Sequence, residues 1–592
     1  MSTDRENISD KYCWHLEDIY DSDTTWEKDF DAAKNMISNY SVYAGTLIEG
    51  ADTIYAALCK RSEMEQLVDR LFVYAHMRRD EDNGDTRYQG MTDRALQLIV
   101  ETETVCSFID PELLALPKKM LCSCSDEERF ESFRFMLANV ERHRPHTLAT
   151  GEEKLMAMAQ EPMSGPQTIF TMLSDVELVF GTVKDEKGEE IKLTHGSYGL
   201  LLNSPDRRVR RDAYEGLYRA YHGMKNTVAS MYAASVKGDV FRAKARGFAG
   251  SLETSLFESN VPLDVYEQLI EAVHEALPAL RKYLLVRKRA LRLDKLEMYD
   301  LYVPMLPDCD MPMDYEEAKV AVKEALIMLG PDYQKLLDRA YSENWIDVYE
   351  TPGKTSGAFS WGTYGVHPYV LLNHQNQIDD ALTLAHELGH AMHSYHSNTA
   401  QPYETAEYTT MVAEVASTVN EMLMTRFLID RETDRNKRAY LINQIIELFR
   451  TTCFRQTMFA EFEWNAHRMA ENGEPLTVES LSEMYRQLNA LYYEDVEIDD
   501  NIAIEWMRIP HFYEAFYVYQ YATGICAATA LSEAVRQGDV DRYIAFLRSG
   551  GSDYPIELLK QAGIDLTNKD SIRTALQVFA DYVNEMEALL GE

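Results

Sequence analysis

The chain has 592 residues, 46% of them apolar, and 97 Asp and Glu against 59 Lys and Arg give a formal net charge of −38. That length exceeds one ordinary core, so two or three subdomains are expected. The acidic balance argues against nucleic acid or an anionic membrane surface as a partner, and no apolar run approaches the ~18 residues of a membrane helix.

Residues 1–110 read as helices with polar joints, with apolar residues at three- and four-residue spacing over 47–74 and 88–108. The start of the chain has neither a basic n-region nor an apolar h-region. The eight cysteines, Cys13, Cys59, Cys106, Cys122, Cys124, Cys309, Cys453 and Cys526, follow no repeating spacing. Free thiols in a cytoplasmic protein are the expectation. Helical periodicity continues over 111–162, with breaks near Pro117 and Pro145. Residues 177–194 alternate apolar and polar around Lys187-Gly188, the signal of a β-hairpin. A boundary near Ser197 divides an N-terminal helical region, 1–197, from a second region, 198–592.

Long helices return after Pro205-Asp206, over 207–224 and over 265–293, the latter bent at Pro278. The basic residues from Arg281 to Arg292 read as a solvated face. The habit breaks over 345–373, where Gly353, Gly357, Gly362 and Gly365 interleave with Phe359, Trp361, Tyr364 and Tyr369. Short strands and tight turns are expected there. Val370, Leu371, Leu372 and Asn373 end a strand. It is either a structural β-patch or a sheet edge whose free N–H and C=O groups could pair with an extended peptide. After residue 400 the pattern is almost wholly helical, so the fold class is mostly α with a small β-patch.

Between patch and helices lies Asp379-Asp380-Ala-Leu-Thr-Leu-Ala-His386-Glu387-Leu388-Gly389-His390-Ala-Met-His393. It contains H-E-x-x-H. Two imidazoles four residues apart on a helix project from one face and can reach one small ion. The carboxylate beside the first histidine can take a proton from water at that ion. Asp379 and Asp380 supply the N-cap and first-turn charge, and no proline interrupts the run to about Ser397.

A catalytic zinc usually has a third protein ligand. His396 stands six residues after His390, but the intervening position that needs glycine is His393, so an unbroken helix turns His396 away. The alternative is a carboxylate on the following helix, expected from Thr405 to about Leu428 after a loop at 398–404. In an antiparallel hairpin hinged near Gln401, position 388 lies opposite Glu414. Glu414 sits among Val412, Ala413, Val415 and Ala416, where an unpaired carboxylate is costly, whereas Glu407 and Glu421 suit solvated positions. His393 lies ~10 Å along the axis from His386 and reads as a packed polar residue.

Ala385-His-Glu-Leu-Gly-His-Ala-Met-His393 followed by Val412-Ala-Glu-Val-Ala-Ser417 resembles the oligoendopeptidase F group of the thimet oligopeptidase family of zinc metallopeptidases. Trp14-x-Leu-x-Asp-Ile-Tyr20, Asn203-Ser-Pro-Asp-Arg-Arg, Lys244-Ala-Arg-Gly247, Asp300-Leu-Tyr-Val-Pro304 and the stretch from Arg508 to Gly524 agree with it. The resemblance implies a helical ellipsoid with a deep substrate channel, and cleavage of short peptides. It implies one Zn2+ per chain, with His386, His390 and Glu414 as ligands and Glu387 as general base. It further implies a histidine and tyrosines that hold substrate and oxyanion, for which His511, Tyr513, Tyr517, Tyr519 and Tyr521 are the candidates. By spacing alone, Tyr513, Tyr517 and Tyr521 share one helix face, an arrangement that also suits core packing. The expected function is a cytoplasmic zinc endopeptidase acting on oligopeptides. The rivals are a non-catalytic helical peptide-binding scaffold and a zinc hydrolase of non-peptide amides.

Overall fold

Helix starts in this chain are set by side chains that accept from the first free N–H groups. Ser22 caps Asp23–Tyr40 by accepting from the Thr25 N–H, and Asp206 caps the 39-residue helix Arg207–Ala245 by accepting from the Arg208 N–H. The computed structural model describes residues 4–306 and 311–591, so Cys309 lies outside the described residues. The described cysteines are all free. The helices expected over 47–74 and 88–108 are Ala51–Glu81 and Thr86–Cys106, and Leu263–Ala290 continues through Pro278. None of the described helices is long and apolar enough to cross a membrane.

Among the described residues the seven strands are short: β1 (Thr182–Lys184), β2 (Glu190–Lys192), β3 (Leu296–Glu297), β4 (Ile346–Asp347), β5 (Phe359–Trp361), β6 (Tyr369–Leu371) and β7 (Val496–Glu497). β1 and β2 pair antiparallel around Lys187-Gly188, as the alternating pattern predicts.

The chain forms two compact units. The first joins Met1–Pro145, Met311–Leu428 and Leu531–Gly563. Its N-terminal core gathers Trp14, Leu16, Trp26, Phe30, Leu71 and Tyr74, and Tyr369 and Leu371 of β6 pack into it. Trp26, fully buried, satisfies its indole N–H on the Leu71 carbonyl at 2.9 Å. The second unit joins His146–Asp310, Ile429–Ala530 and Ile564–Glu592. Within it Asp300, fully buried, receives Arg210 and Arg207 at 2.7 Å each.

The sheet in the first unit has the order β4-β6-β5, β6 being parallel to β4 and antiparallel to β5. This corrects the reading of Val370, Leu371, Leu372 and Asn373 as an edge. Val370 N–H donates to Trp345 and Leu372 N–H to Asp347 on one side, and Leu371 pairs with Phe359 on the other. Val370 and Leu371 have no exposed surface, and the Asn373 side chain is spent on the carbonyls of Thr355 and Gly357. A run of apolar residues without alternation fits a central strand buried on both faces. The outer strand on that side is β5.

Three helices build the candidate site: α1 (Ile378–Ala400), α2 (Thr410–Arg431) and α3 (Val540–Ser549). α1 and α2 cross backbone to backbone at Gly389. A Cβ there would stand 2.5 Å from Ser417 Cα and 3.0 Å from the Ala416 carbonyl oxygen. Asn420, fully buried, donates to the Ala385 carbonyl at 3.2 Å and pins the same crossing. α3 covers both helices. Tyr543 donates to the Ala416 carbonyl at 3.2 Å, and the Phe546 ring lies 5.7 Å from that of His393. Gly389→Ala must therefore push the two backbones apart, at a cost of about 2–4 kcal/mol. Thermal unfolding of the variant should show this loss as a lowered midpoint, and an unchanged midpoint would contradict the contact.

Candidate metal centre

α1 begins one residue before the acidic pair. Gln377 is its N-cap, and Asp380 reaches back to accept from the backbone N–H of Gln375 at 2.9 Å and of Gln377 at 2.8 Å. Asp379 and Asp380 lie in the first turn, where their charge suits the helix N-terminus. From there the buried face runs through Ala381, Leu384, Ala385, Leu388, Ala391 and Met392.

His386 and His390 stand one turn apart, with ring centroids 5.0 Å apart. Together with Glu414 each offers one ligand atom, all lying within 4.8 Å of one another. His386 Nε2 is 3.7 Å from a Glu414 carboxylate oxygen. Burial, and then the neighbouring His386, push His390 down to about 3, so its imidazole is neutral and its lone pair free. Two imidazole nitrogens and one carboxylate are a zinc donor set.

Glu414 reaches this cluster by a register other than the one expected. With a hinge at Gln401, Gly389 would face a residue one turn earlier on α2 than the observed Ser417. The connection is longer because a short helix, Tyr403–Ala406, is inserted and α2 starts only at Thr410. The Glu414 side chain is 51% exposed, so its apolar sequence neighbours face the core while it faces the opening.

Glu421 is the residue that sequence reasoning missed. It accepts from His386 Nδ1 at 3.1 Å. That bond fixes the tautomer and leaves Nε2 for a metal, the usual arrangement of a ligating histidine. The His386 pKa is raised: burial opposes the charged form, but the Glu421 hydrogen bond and the surrounding carboxylates outweigh it. The signal was available, since Glu414 and Glu421 are seven residues apart and share a face of α2.

Glu387 is 7% exposed, and its Oε2 has no hydrogen-bond partner. Burial raises its pKa to about 7, against the lowering effect of His386 and with Glu414 and Glu421 adding to the rise. His393 is fully buried, stacked on Tyr408 with centroids 3.7 Å apart, and both ring nitrogens lack partners. It is the packed residue expected. His396 faces Tyr333 and is not in the donor cluster.

In the second unit the tyrosine candidates separate. Tyr513 ends the turn Pro510–Tyr513, and the helix begins only at Tyr519, with Phe516 at φ 57° between them. The single helix face expected for Tyr513, Tyr517 and Tyr521 is therefore broken. Tyr513 stacks on Phe170 at 4.5 Å, and Tyr519, 3% exposed, packs on Tyr266 at 5.3 Å. His511, Tyr517 and Tyr521 form one cluster. His511 lies 6.2 Å from the Tyr517 ring, the Tyr521 hydroxyl is 3.4 Å from His511 Nε2, and the two tyrosine rings are 5.4 Å apart.

An H-E-x-x-H helix facing a glutamate on the next helix defines a class of metallopeptidase site, here within a mostly helical fold. Residues 200–578 match the profile of peptidase family M3 and residues 112–180 that of oligopeptidase F. The chain belongs to peptidase family M3 and is a metalloendopeptidase. It is 41% identical to oligopeptidase PepF of Bacillus subtilis, over 99% of this chain and 88% of that one. It is 36% identical to the group B oligopeptidase PepB of Streptococcus agalactiae, over 100% and 99% of the two chains. Among solved structures, a putative peptidase from Chlamydophila abortus superposes with a TM-score of 0.95 at 32% identity, covering 100% of both chains. Oligoendopeptidase-F from Enterococcus faecium superposes at 0.74 with 35% identity, covering 96% and 99%.

The geometry predicts separable roles for the two α2 carboxylates. Glu421→Ala should weaken the affinity of the site for an added divalent metal about 10- to 100-fold, the usual cost of losing a partner to a ligating histidine. Glu414→Ala should weaken it further. Chelator competition on the purified variants reads both, and undiminished affinity in Glu421→Ala would contradict the tautomer-fixing role.

Proposed function

We infer that the protein is a zinc-dependent endopeptidase of oligopeptides. The observation that carries this is the convergence of His386, His390 and Glu414, with Glu387 buried beside them and one of its oxygens unpartnered. The names of its relatives, oligopeptidase and oligoendopeptidase, support the substrate class. A cytoplasmic location belongs to the same reading.

His386, His390 and Glu414 would hold one zinc ion. When bound, the ion supplies Lewis acidity and brings the pKa of the attacking water towards ~7. Glu387 takes the proton as water attacks the scissile carbonyl and delivers it to the leaving amine. Burial brings the Glu387 carboxyl up towards the range of a general base, to about 7. Glu421 holds His386 in its ligating tautomer throughout. β5 is the strand that offers its outer edge to an extended peptide, in place of the buried β6. His511, Tyr517 and Tyr521, which cluster in the second unit, are the side chains given the holding of substrate. Tyr513 and Tyr519, spent on packing, are left out of this role.

The general base is tested by Glu387→Gln. Turnover of a quenched peptide should fall by at least about a thousandfold while metal analysis still finds one zinc per chain. Near-normal turnover would sink the mechanism. The substrate class is tested with one cleavable sequence placed in peptides of about five to about forty residues, and in an ordered loop of a folded protein. Cleavage should fall with length and be absent in the folded carrier, because an edge strand accepts only extended backbone. Equal rates on the folded carrier would refute the restriction to oligopeptides.

A further inference from the structure

Phe516 holds a backbone conformation that its side chain disfavours. Among the described residues, the other non-glycine positions at positive φ are Asn260, Arg292, Asn344, Asn376 and Asp495. Asparagine and aspartate tolerate this region, whereas a bulky aromatic there is a true outlier that its surroundings must enforce. At Phe516 the enforcing groups are visible. Its N–H donates to Glu463 Oε1 at 2.7 Å. Its ring, 1% exposed, lies 4.5 Å from that of His467. The preceding carbonyl, of Ala515, accepts from Ser255 at 3.0 Å.

Glu463 is itself unusual. It is fully buried on the helix Arg455–Glu471, and its second oxygen has no hydrogen-bond partner. Burial, and then Asp239 and Glu514 nearby, hold its carboxyl well above the ordinary range, against the effect of the Phe516 N–H. One turn on, His467 donates from Nδ1 to the Glu463 carbonyl at 2.8 Å and faces Asp239 at 3.2 Å. A fully buried carboxyl spent on one backbone N–H is a costly way to close a loop. The loop it closes leads directly into Tyr517, and the reversal at Phe516 brings the Tyr517 ring beside His511 and Tyr521.

We propose that Glu463 is a positioning residue for peptide hydrolysis: by holding Phe516 in its left-handed conformation it sets the Tyr517 ring in the cluster with His511 and Tyr521. The proposal rests on the substrate-holding role given above to Tyr517. It assigns Glu463 no contact with substrate and no proton transfer.

The test uses the full zinc-loaded enzyme. Glu463→Met keeps volume and burial and removes only the acceptor, while Glu463→Gln keeps a neutral acceptor in the same place. Glu463→Met should lower kcat about 10- to 100-fold, the scale of a misplaced catalytic contact, with KM within about threefold and zinc content unchanged. Glu463→Gln should restore nearly full kcat. In a Tyr517→Phe background, Glu463→Met should add little further loss, because both changes remove the same contact. A kcat for Glu463→Met within twofold of wild type would overturn the proposal. An equal further loss in the Tyr517→Phe background would overturn it as well. If Tyr517→Phe alone leaves kcat intact, the role given to Tyr517 is what fails, and the clamp is then judged by a crystal structure of Glu463→Met. A negative φ at Phe516 there supports the clamp, and a retained positive φ refutes it.

Discussion

The closest approach of α1 to α2, Gly389 against the Ala416–Ser417 backbone, governs the site. Helices whose side chains interdigitate normally stand 8–10 Å apart. Without a side chain at 389 the two axes come nearer, and short acidic side chains on α2 can reach imidazoles on α1. Ser417, fully buried, lies three residues after Glu414 and four before Glu421. The crossing point thus sits between the two carboxylates, and each addresses a different nitrogen of His386. Asn420, bonded to the Ala385 carbonyl, holds the helices against sliding along each other.

The same burial that costs stability separates the chemistry of neighbouring groups. Glu387 is raised to about 7, His390 is lowered to about 3, and Glu414 stands half exposed. Two ionisable groups within one turn are thereby given distinct states near neutral pH, one undecided and one neutral. Such separation comes from placement alone, since the residue types are ordinary.

Much of this was legible in the sequence, and its limits are instructive. His386, Glu387 and His390 follow from spacing, because an α-helix fixes which residues share a face. Glu414 stands half exposed, so its apolar sequence neighbours do not identify it, and the hinge argument that selects it is displaced by a turn. Helical periodicity marks where a helix lies but not how a connection such as Tyr403–Ala406 spends its residues. Glu421 was set aside as solvated because its partner, His386 Nδ1, belongs to another helix. Val370 to Asn373 was placed at an edge because a short apolar run has no signature of its neighbours, and β4 and β5 flank β6 from positions earlier in the chain. The tyrosine face failed for a local reason: nothing in the letters of Tyr513 to Tyr521 announces a left-handed phenylalanine, whose enforcing carboxyl, Glu463, lies some fifty residues upstream.

α3 gives the first unit a temporal order. Gly550 and Gly551, just after it, press against Ser397, Thr405 and Glu407 so closely that side chains would collide, and Phe546 and Tyr543 cover His393 and Ala416. These groups are separated from α2 by the whole of Ile429–Ala530, which folds into the other unit. On a ribosome, the two helices that carry the donor atoms emerge more than a hundred residues before the element that roofs them. During that interval His393 on α1 lacks the cover of the Phe546 ring. Translation thus delays a finished protease pocket until the last part of the chain has been made.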